Sequence, residues 1–337
     1  MQILDAAATE AALPWPALLA GLADTLADAR AGGSRCPPRS AVPLAGSDVW
    51  LLMPAWSHGA DVAVCKLITV HAGNPARGLP SILGDLYVIR ASTGERLALL
   101  DGPTVTGRRT AAVTALALDT LLRQRPVAAP AADEPLECLI IGCGVQGASH
   151  LDALASVLPI TRFHLQSRSR ASAERLAARA RDAGRTVTIV GDADAAGSGA
   201  SAGRPAAATA LRAALDRCRL VVCCTPALEI CLAEPPRADA LVAAIGAFTP
   251  TMAEIAPAVV RGFGRSIVLD TPDARHEAGD LAVAGVDTAG LPTLLDADWA
   301  ARLPAAGPVL FKSCGSALWD LAAAGVVAAA AGPATAR

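Results

Sequence analysis

The stretch "IIGCGVQGASH", residues 140–150, decides the fold of this chain. It follows the strand-like run "LECLII" and opens the helix-like run "VQGASHLDALASVL". Glycines at this spacing allow a tight turn, a close backbone approach to a pyrophosphate and close helix–strand packing, while the helix N-terminus adds partial positive charge. The motif therefore predicts a dinucleotide-binding turn built by Gly142, Gly144, Val145, Gln146 and Gly147.

The end of the second strand in such a fold selects between the two nicotinamide dinucleotides. An acidic residue there accepts a hydrogen bond from the ribose 2′-OH of NAD, whereas a basic residue pairs with the 2′-phosphate of NADP. This chain reads "FHLQSRSRASAERL" from residue 163, with no acid at the strand end and with Ser167, Arg168 and Arg170 after it. The pattern favours NADPH, with NADH as a weaker cofactor.

The alternation of strand-like and helix-like segments from residue 136 onward also indicates a dinucleotide-binding fold. Strand-like segments recur at 137–141, 162–166, 186–190, 219–224, 241–245 and 266–270, with helical stretches between the early ones. Such alternation is typical of an α/β fold with a Rossmann, doubly wound parallel sheet. The segment "GDADAAGSGASAGRPAA", 191–207, interrupts the rhythm and is expected to be a flexible surface insertion.

The first third of the chain follows a different pattern. Helices are predicted over 14–31 and 106–124, with short apolar strands separated by turn residues between them. The run "RPVAAPAADEP", 125–135, lacks periodicity and is the natural linker. We expect two domains: a substrate-binding and dimerisation α+β domain over 1–124, completed by a C-terminal helix over 309–337, and an NADP-binding Rossmann domain over 125–308.

Composition excludes several classes of protein. The net charge of −2 over 337 residues gives neither a nucleic-acid footprint nor a polybasic membrane patch. The nine scattered cysteines predict reduced thiols in the cytoplasm, and the absence of paired CxxC units argues against a structural zinc site, so no metal is expected. The apolar run near the C-terminus is interrupted by Asp320 and is too short to span a bilayer.

Several ordered motifs resemble the ornithine cyclodeaminase/μ-crystallin family. They include Lys66 in a strand, Asn74, "GLP" at 78–80, "TG" at 93–94, "DG" at 101–102, "TGRRTAA" at 106–112, "GCGVQG", "EAGDL" at 277–281 and "LFKSCGSALWDLAAA" at 310–324. Within the family, "MQILDAAATEAALPWPAL", "LLMPAW" and "IGAFTPTM" look most like the Δ1-pyrroline-2-carboxylate/Δ1-piperideine-2-carboxylate reductases. The resemblance implies reduction of a cyclic imino acid to L-proline or L-pipecolate with a nicotinamide cofactor, and a homodimer joined through the substrate domains.

The chemistry of such a substrate suggests three catalytic candidates. A planar guanidinium suits the substrate carboxylate because it binds bidentately, so Arg109 is the first choice and Arg39 a second clamp. Lys66 is the candidate that provides or orients the proton for the imine nitrogen. Arg108 points elsewhere on its helix and is left out. The expected cofactor contacts also include Thr110 and Thr225.

Alternatives on the same scaffold stay open. An ornithine cyclodeaminase needs a carboxylate after the fifth Rossmann strand, where this chain has Ala247 and Phe248, and the family's deaminases favour NAD. An alanine-dehydrogenase-like enzyme and a non-catalytic, NADPH-binding crystallin-like protein are further options. The sequence does not rank five- against six-membered imines, since one methylene is worth only about 1–3 kcal/mol in an apolar pocket.

Overall fold

The structure is a computed structural model that describes residues 1–46, 48–124, 134–191, 204–227 and 229–331. The strands are β1 (Gln2–Leu4), β2 (Ser34–Arg35), β3 (Ser40–Pro43), β4 (Val49–Ser57), β5 (Val62–Val70), β6 (Ile82–Arg90), β7 (Arg96–Asp101), β8 (Leu136–Ile141), β9 (Ile160–Gln166), β10 (Val187–Ile189), β11 (Leu220–Cys223), β12 (Leu241–Ala244), β13 (Ile267–Leu269) and β14 (Val309–Lys312). The helices are α1 (Ala6–Ala12), α2 (Trp15–Arg30), α3 (Gly102–Gln124), α4 (Val145–Val157), α5 (Arg170–Asp182), α6 (Arg204–Arg217), α7 (Pro257–Gly262), α8 (Ala274–Glu277), α9 (Gly279–Ala284) and α10 (Ala317–Ala331).

The described residues divide into two compact units, one made of 1–113 with the chain from 315 onward and the other of 114–314. The sheet of the first unit has the order β1-β7-β6-β5-β4-β2, with β3 also paired to β4. Its long central strands are antiparallel and alternate buried with more exposed side chains, which is typical of a sheet covered on one face. Helix α10 packs against β4, β5 and α2 and supplies the covering layer.

The second unit has a fully parallel sheet in the order β10-β9-β8-β11-β12-β14-β13. Strands β8, β11 and β12 are buried along their length or nearly so and carry Leu, Ile, Val and Cys side chains into one core. The chain leaves β8 on one side and reaches β11 on the other, so the strand order reverses between them. The predicted α/β fold with a Rossmann, doubly wound sheet is confirmed, and ligands of such sheets bind at the carboxyl ends of the strands beside this reversal.

The ends of the two units differ from the sequence-based boundaries. The first unit ends within α3, and the second continues to residue 314, because Val309–Lys312 pairs with β12 and β13 instead of beginning the C-terminal helix. The helix itself starts at Ala317. The long strand-free stretch before β14 had broken the alternation by which the other strands were predicted.

Two predicted segments fall largely outside the described residues. Of the linker at 125–135, residues 125–133 lie outside them, as do residues 192–203 of the predicted insertion; its last residues, 204–207, begin helix α6. All nine cysteines carry free thiols. Within the described ranges, no helix has both the length and the apolar character needed to cross a bilayer.

Candidate functional site

Lys66 is buried on the face of the first sheet that packs against α10. Its neighbours across the sheet, Met53 and Leu86, are buried on the same face. The Nζ atom lies 3.2 Å from Oδ1 and 3.0 Å from Oδ2 of Asp320, which is fully buried on α10. A buried ammonium is costly without a partner, so this ion pair explains how an apolar strand can carry a lysine at this position.

Arg109 shares the Asp320 carboxylate with Lys66. Its Nε donates to Oδ1 at 3.1 Å, so the same oxygen accepts from both cations. Its Nη1 is buried and has no hydrogen-bond partner among the described residues. Thr106 lies three residues earlier on α3 and also has a buried, unpartnered hydroxyl. Buried donors are almost always satisfied, so two orphaned donors at helical spacing indicate the place of a ligand with acceptor oxygens.

Gly315 brings the backbone against the two candidate arginines. A Cβ at this residue would lie 3.0 Å from both Nη1 and Nη2 of Arg109, and its φ of +78° is one that glycine adopts without strain. Its carbonyl oxygen accepts a hydrogen bond from Nη2 of Arg39 at 2.7 Å. The structure therefore brings the three predicted catalytic residues together, and we call Lys66, Asp320, Arg109 and Arg39 the Lys66 cluster.

The electrostatics of the Lys66 cluster favour an anionic ligand. Burial lowers the pKa of Lys66, Asp320 raises it, and Arg109 and Arg39 lower it again, which leaves the pKa at about 8. The cluster thus holds three basic side chains and one carboxylate. A monocarboxylate ligand would offset part of this excess positive charge, whereas a further ammonium group would add to it.

Asp320 is the member of this cluster that the sequence-based prediction missed. In the sequence, Asp320 stands out only as a charge that interrupts an apolar run. It is the one charged residue in α10, "ALWDLAAAGVVAAAA". A lone carboxylate in a helix that is otherwise buried and apolar was the available signal, because such a group needs a buried cation as its partner.

The glycine-rich turn of the second unit has the geometry that the motif predicted. Gly142 has a φ of +110°, and a Cβ there would lie 2.5 Å from the carbonyl oxygen of Cys224, at the end of the neighbouring strand β11. A Cβ on Gly147 would collide with the carbonyl oxygen of Gly142. Gly144 faces open space, and no side chain caps α4, so the first N–H groups of this helix are available to an anion.

Side chains around this turn also remain open to a ligand. Val145, in the first turn of α4, is 70% exposed. The side-chain oxygens of Gln146 and Gln166 are buried without a partner among the described residues. At the end of β9, Ser167 is half-buried, and Arg168 is exposed with its Nη1 3.4 Å from Glu229. These residues fit a dinucleotide that lies across the carboxyl ends of β8 and β9.

A buried carboxylate joins the loops that follow β11 and β12. Oε1 of Glu254 accepts from the backbone N–H of Thr225 at 2.6 Å and from its hydroxyl at 2.8 Å, and Oε2 accepts from the N–H groups of Ile245 and Gly246. The hydroxyl proton of Thr225, a predicted cofactor contact, is thus already donated within the protein. Burial raises the pKa of Glu254.

A buried ion pair lies next to this carboxylate. Lys312 Nζ lies 2.9 Å from Oδ2 of Asp280, and both residues are fully buried. Oδ1 of Asp280 accepts from the backbone N–H groups of Glu254 and Ile255. Burial opposes the charge of Lys312, but Asp280, Cys314 and Glu254 together outweigh this effect, so the pKa of Lys312 is raised. The motifs "EAGDL" and "LFKSCG" therefore contribute a buried ion pair that supports the loops after β11 and β12.

Two further sets of polar residues lie outside the Lys66 cluster: one predicted cofactor contact and one trio of potential metal ligands. Thr110 is buried on α3 within the first unit. Glu137, His164 and Cys218 bring potential metal-ligand atoms within 4.8 Å of one another. The imidazole and the carboxylate of this trio are hydrogen-bonded to each other at 2.6 Å, and burial raises the pKa of the Cys218 thiol, which disfavours the thiolate that ligates metals.

Comparison with known proteins identifies one family and relatives with similar names. Residues 2–202 match the model of the ornithine cyclodeaminase/mu-crystallin family. The chain is 42% identical over 325 residues to Delta(1)-pyrroline-2-carboxylate reductase 1 of Burkholderia multivorans, covering 95% of this chain and 93% of the relative. It is 42% identical over 322 residues to the Delta(1)-pyrroline-2-carboxylate/Delta(1)-piperideine-2-carboxylate reductase of Azospirillum brasilense, with 95% and 93% covered.

A solved structure shares the fold. Delta(1)-pyrroline-2-carboxylate reductase of Thermococcus litoralis, in complex with NADH and L-proline, superposes with a TM-score of 0.80 at 19% identity. The alignment covers 98% of this chain and 97% of that one.

Proposed function

Because this chain belongs to the ornithine cyclodeaminase/mu-crystallin family and is an oxidoreductase acting on imines, we propose that it reduces cyclic imino acids with NADPH. The substrates are Δ1-pyrroline-2-carboxylate, which gives L-proline, and Δ1-piperideine-2-carboxylate, which gives L-pipecolate. Both relatives described above are named for reduction of Δ1-pyrroline-2-carboxylate, and that of Azospirillum brasilense also for Δ1-piperideine-2-carboxylate. The catalytic residues of the proposal are Lys66, Arg109 and Arg39.

The orphaned Nη1 of Arg109 is the observation that carries the proposal. Asp320 accepts from Nε, whereas Nη1 is buried without a partner among the described residues and can donate to a carboxylate oxygen. Thr106 offers a hydroxyl one turn earlier on the same helix, and Arg39 adds a second cation beside Gly315. A substrate carboxylate bound here would satisfy donors that are otherwise buried without partners.

Lys66 supplies the proton that imine reduction consumes. When NADPH is bound, its nicotinamide supplies a hydride to the imine carbon. The electron pair of the C=N bond moves to the nitrogen, which takes a proton from the Lys66 ammonium and leaves a neutral amine on the enzyme. A donor with a pKa of about 8 is suited to this step near neutral pH, because it is charged before the transfer and gives up its proton readily.

The preference for NADPH rests on the end of β9. No acidic residue stands there to accept the ribose 2′-OH, and the exposed Arg168 is the cation that we propose for the 2′-phosphate. Its present partner, Glu229, is similarly exposed, at 71% against 69% for the arginine side chain. An exposed pair of this kind is worth about 0–1 kcal/mol, so a phosphate can replace the carboxylate at little cost.

The alternative of an ornithine cyclodeaminase is disfavoured by the loop after β12. Ala247 is buried and Phe248 is partly exposed, and neither can pair with a substrate ammonium. The acid that does follow in this loop, Glu254, has both of its oxygens bonded to Thr225, Ile245 and Gly246. A diamine would therefore meet an excess of positive charge at the Lys66 cluster and find no uncommitted carboxylate in this loop.

Steady-state assays with purified protein test the proposal. We expect stoichiometric loss of NADPH absorbance when either imino acid is added, formation of the L-amino acid, and negligible ammonia from ornithine. Ammonia release from ornithine at a rate comparable to imine reduction would favour the cyclodeaminase, and pyruvate reduction with ammonia would favour an alanine dehydrogenase. Tight NADPH binding without oxidation by any imine would favour a binding protein.

We further propose that the protein is a homodimer joined through the first unit. On the sheet face opposite Lys66, Val42, Trp50, Thr69 and Leu83 form one row across four adjacent strands. Val42, Trp50 and Leu83 are 41%, 38% and 40% exposed, which is unusual for large apolar side chains in adjacent positions. Light scattering should give twice the chain mass, and Trp50→Glu should shift it toward the monomer; a monomeric parent protein would contradict this proposal.

A further inference from the structure

The chain contains two lysines among its 29 basic lysine and arginine residues, and both are buried. Lys66 lies in the first unit and pairs with Asp320, whereas Lys312 lies in the second unit and pairs with Asp280. The surroundings of the two ion pairs shift the lysine pKa in opposite directions. Asp280, Cys314 and Glu254 raise the pKa of Lys312, whereas two arginines act on Lys66, whose pKa is lowered to about 8.

Asp320 is the group that opposes deprotonation of Lys66. The charged groups that face Lys66 are Asp320 on α10, Arg109 on α3 and Arg39 ahead of β3, while its neighbours on β4 and β6 are Met53 and Leu86. Burial and both arginines favour the neutral amine. The Asp320 carboxylate, at 3.0 Å, favours the ammonium.

We propose that Asp320 is a positioning residue that keeps Lys66 protonated in a buried site and fixes its Nζ for proton donation to the substrate nitrogen. This inference rests on the proposed imine reduction. Asp320 itself does not exchange a proton with the substrate; it acts through Lys66. By accepting from Nε of Arg109 with the same Oδ1, it also sets the direction of the guanidinium edge that receives the substrate carboxylate.

The proton balance follows from this arrangement. Before the reaction, the Lys66 cluster holds three cations and one carboxylate, and the substrate carboxylate reduces the excess by one. Donation from Lys66 to the nitrogen, as the hydride reaches the adjacent carbon, leaves a neutral lysine between two arginines and Asp320. Burial and the arginines stabilise that neutral form, so the site favours transfer once the nitrogen accepts the proton.

The presence of two lysines makes the proposal directly measurable. Protein grown with isotope-labelled lysine should show two side-chain NMR signals, and Lys66→Met assigns them. In the wild-type protein we expect the Lys66 signal to titrate near pH 8 and the Lys312 signal to stay charged beyond the ordinary lysine range. Titration of Lys66 well below neutral pH would overturn the proposal, because Asp320 would then fail to keep the buried ammonium charged.

Variants of Asp320 test its role separately. Asp320→Asn removes the negative charge, which disfavours the ammonium, so the midpoint of the Lys66 signal should fall by about one to three pH units. The alkaline limb of kcat/KM should move to lower pH in parallel. Asp320→Glu should restore much of both values. A midpoint and a pH profile that both stay unchanged in Asp320→Asn would contradict the proposal.

Asp28→Asn provides the matched control. Its carboxylate accepts from Ser34 and Ser57 in the same unit, so its loss should reduce stability without moving the Lys66 midpoint. If Asp320→Asn does not fold, the wild-type titration and the glutamate variant still decide the question. The NMR measurements need no substrate; a protein that failed to reduce imines would refute the proposed function while leaving this test of Asp320 intact.

Discussion

Gly315 lies so close to Arg109 that any side chain at residue 315 would contact both terminal nitrogens of the guanidinium, at 3.0 Å from each. Gly315→Ala should therefore displace the donors proposed for the substrate carboxylate. We expect kcat/KM to fall by roughly tenfold or more, since a charged hydrogen bond is worth about 1.5–3 kcal/mol. Gly32→Ala is the control: its φ of +77° matches the +78° of Gly315, but nothing lies within 4 Å of its Cβ position. Equal activity losses in the two variants would attribute the effect to backbone strain alone.

Arg109→Lys keeps the positive charge but removes the planar pair of donors. We expect kcat/KM to fall by about 10–150-fold, with NADPH affinity little changed. Arg108→Lys is the neighbouring control, because Arg108 bonds to the Leu13 carbonyl and to Glu10 and stacks on Trp15. That control should lose stability but retain near-normal substrate kinetics. Near-normal turnover in Arg109→Lys would remove Arg109 from the substrate site.

Arg168→Ala should weaken NADPH binding far more than NADH binding, because only NADPH carries the phosphate proposed to pair with this side chain. The expected difference is about 1.5–3 kcal/mol, measured by fluorescence titration of each cofactor. Arg175→Ala, on the following helix with its Nη2 bonded to Ser172, serves as an exposed control. Parallel losses for the two cofactors would show that Arg168 does not read the 2′-phosphate.

The lowered pKa of Lys66 should make the protein more stable toward unfolding as the pH rises above 8. Its folded pKa of about 8 lies below the value of 10.5 for an unperturbed lysine, so between these values the unfolded chain binds more protons than the folded one. Stability contributed through this group therefore rises as pH increases from 8 to 10.5. Denaturation of wild type and Lys66→Met across this range should show the wild type gaining relative to the variant. A constant difference would contradict the lowered pKa.

Glu254→Gln should loosen the two loops at the carboxyl ends of β11 and β12. The amide keeps one acceptor but places an NH2 group where backbone N–H groups now donate, which leaves donors facing donors in a buried site. We expect a loss of about 1–3 kcal/mol in unfolding free energy together with weaker cofactor binding. Glu174→Gln, an exposed partner of Arg170, should change neither measurement. Unaltered cofactor affinity in a destabilised Glu254 variant would separate these loops from the cofactor site.

Local sequence patterns were sufficient to predict those parts of the fold that are determined by residues close together in the chain. The glycines at 142, 144 and 147 predicted a turn whose geometry the structure reproduces, because steric limits on a tight turn act within a few residues. Strand β14 was missed since its pairing with β12 and β13 spans long separations in the chain. The α3 start at Gly102, earlier than predicted, follows from the bond between the Thr104 N–H and Asp101.

The candidate site was predictable only in part for the same reason. Lys66, Arg109 and Arg39 came from chemistry and family resemblance, and the structure brings them together. Asp320 lies 254 residues from Lys66 in the chain, and no local pattern relates the two. Glu254 was likewise unseen, because its partners are backbone N–H groups and one hydroxyl, and backbone groups leave no signal in the identity of the residues that carry them.

Because both lysines are buried, the rate at which each one is acylated can report local opening of the folded protein. No lysine ammonium is accessible to reagents in the folded chain, and its accessible side-chain cations are arginines. Each compact unit carries a single lysine, Lys66 in one and Lys312 in the other. Acylation of a given lysine by an amine-specific reagent thus requires its own unit to open, and peptide mass mapping of the two sites would report the two opening free energies separately in one experiment.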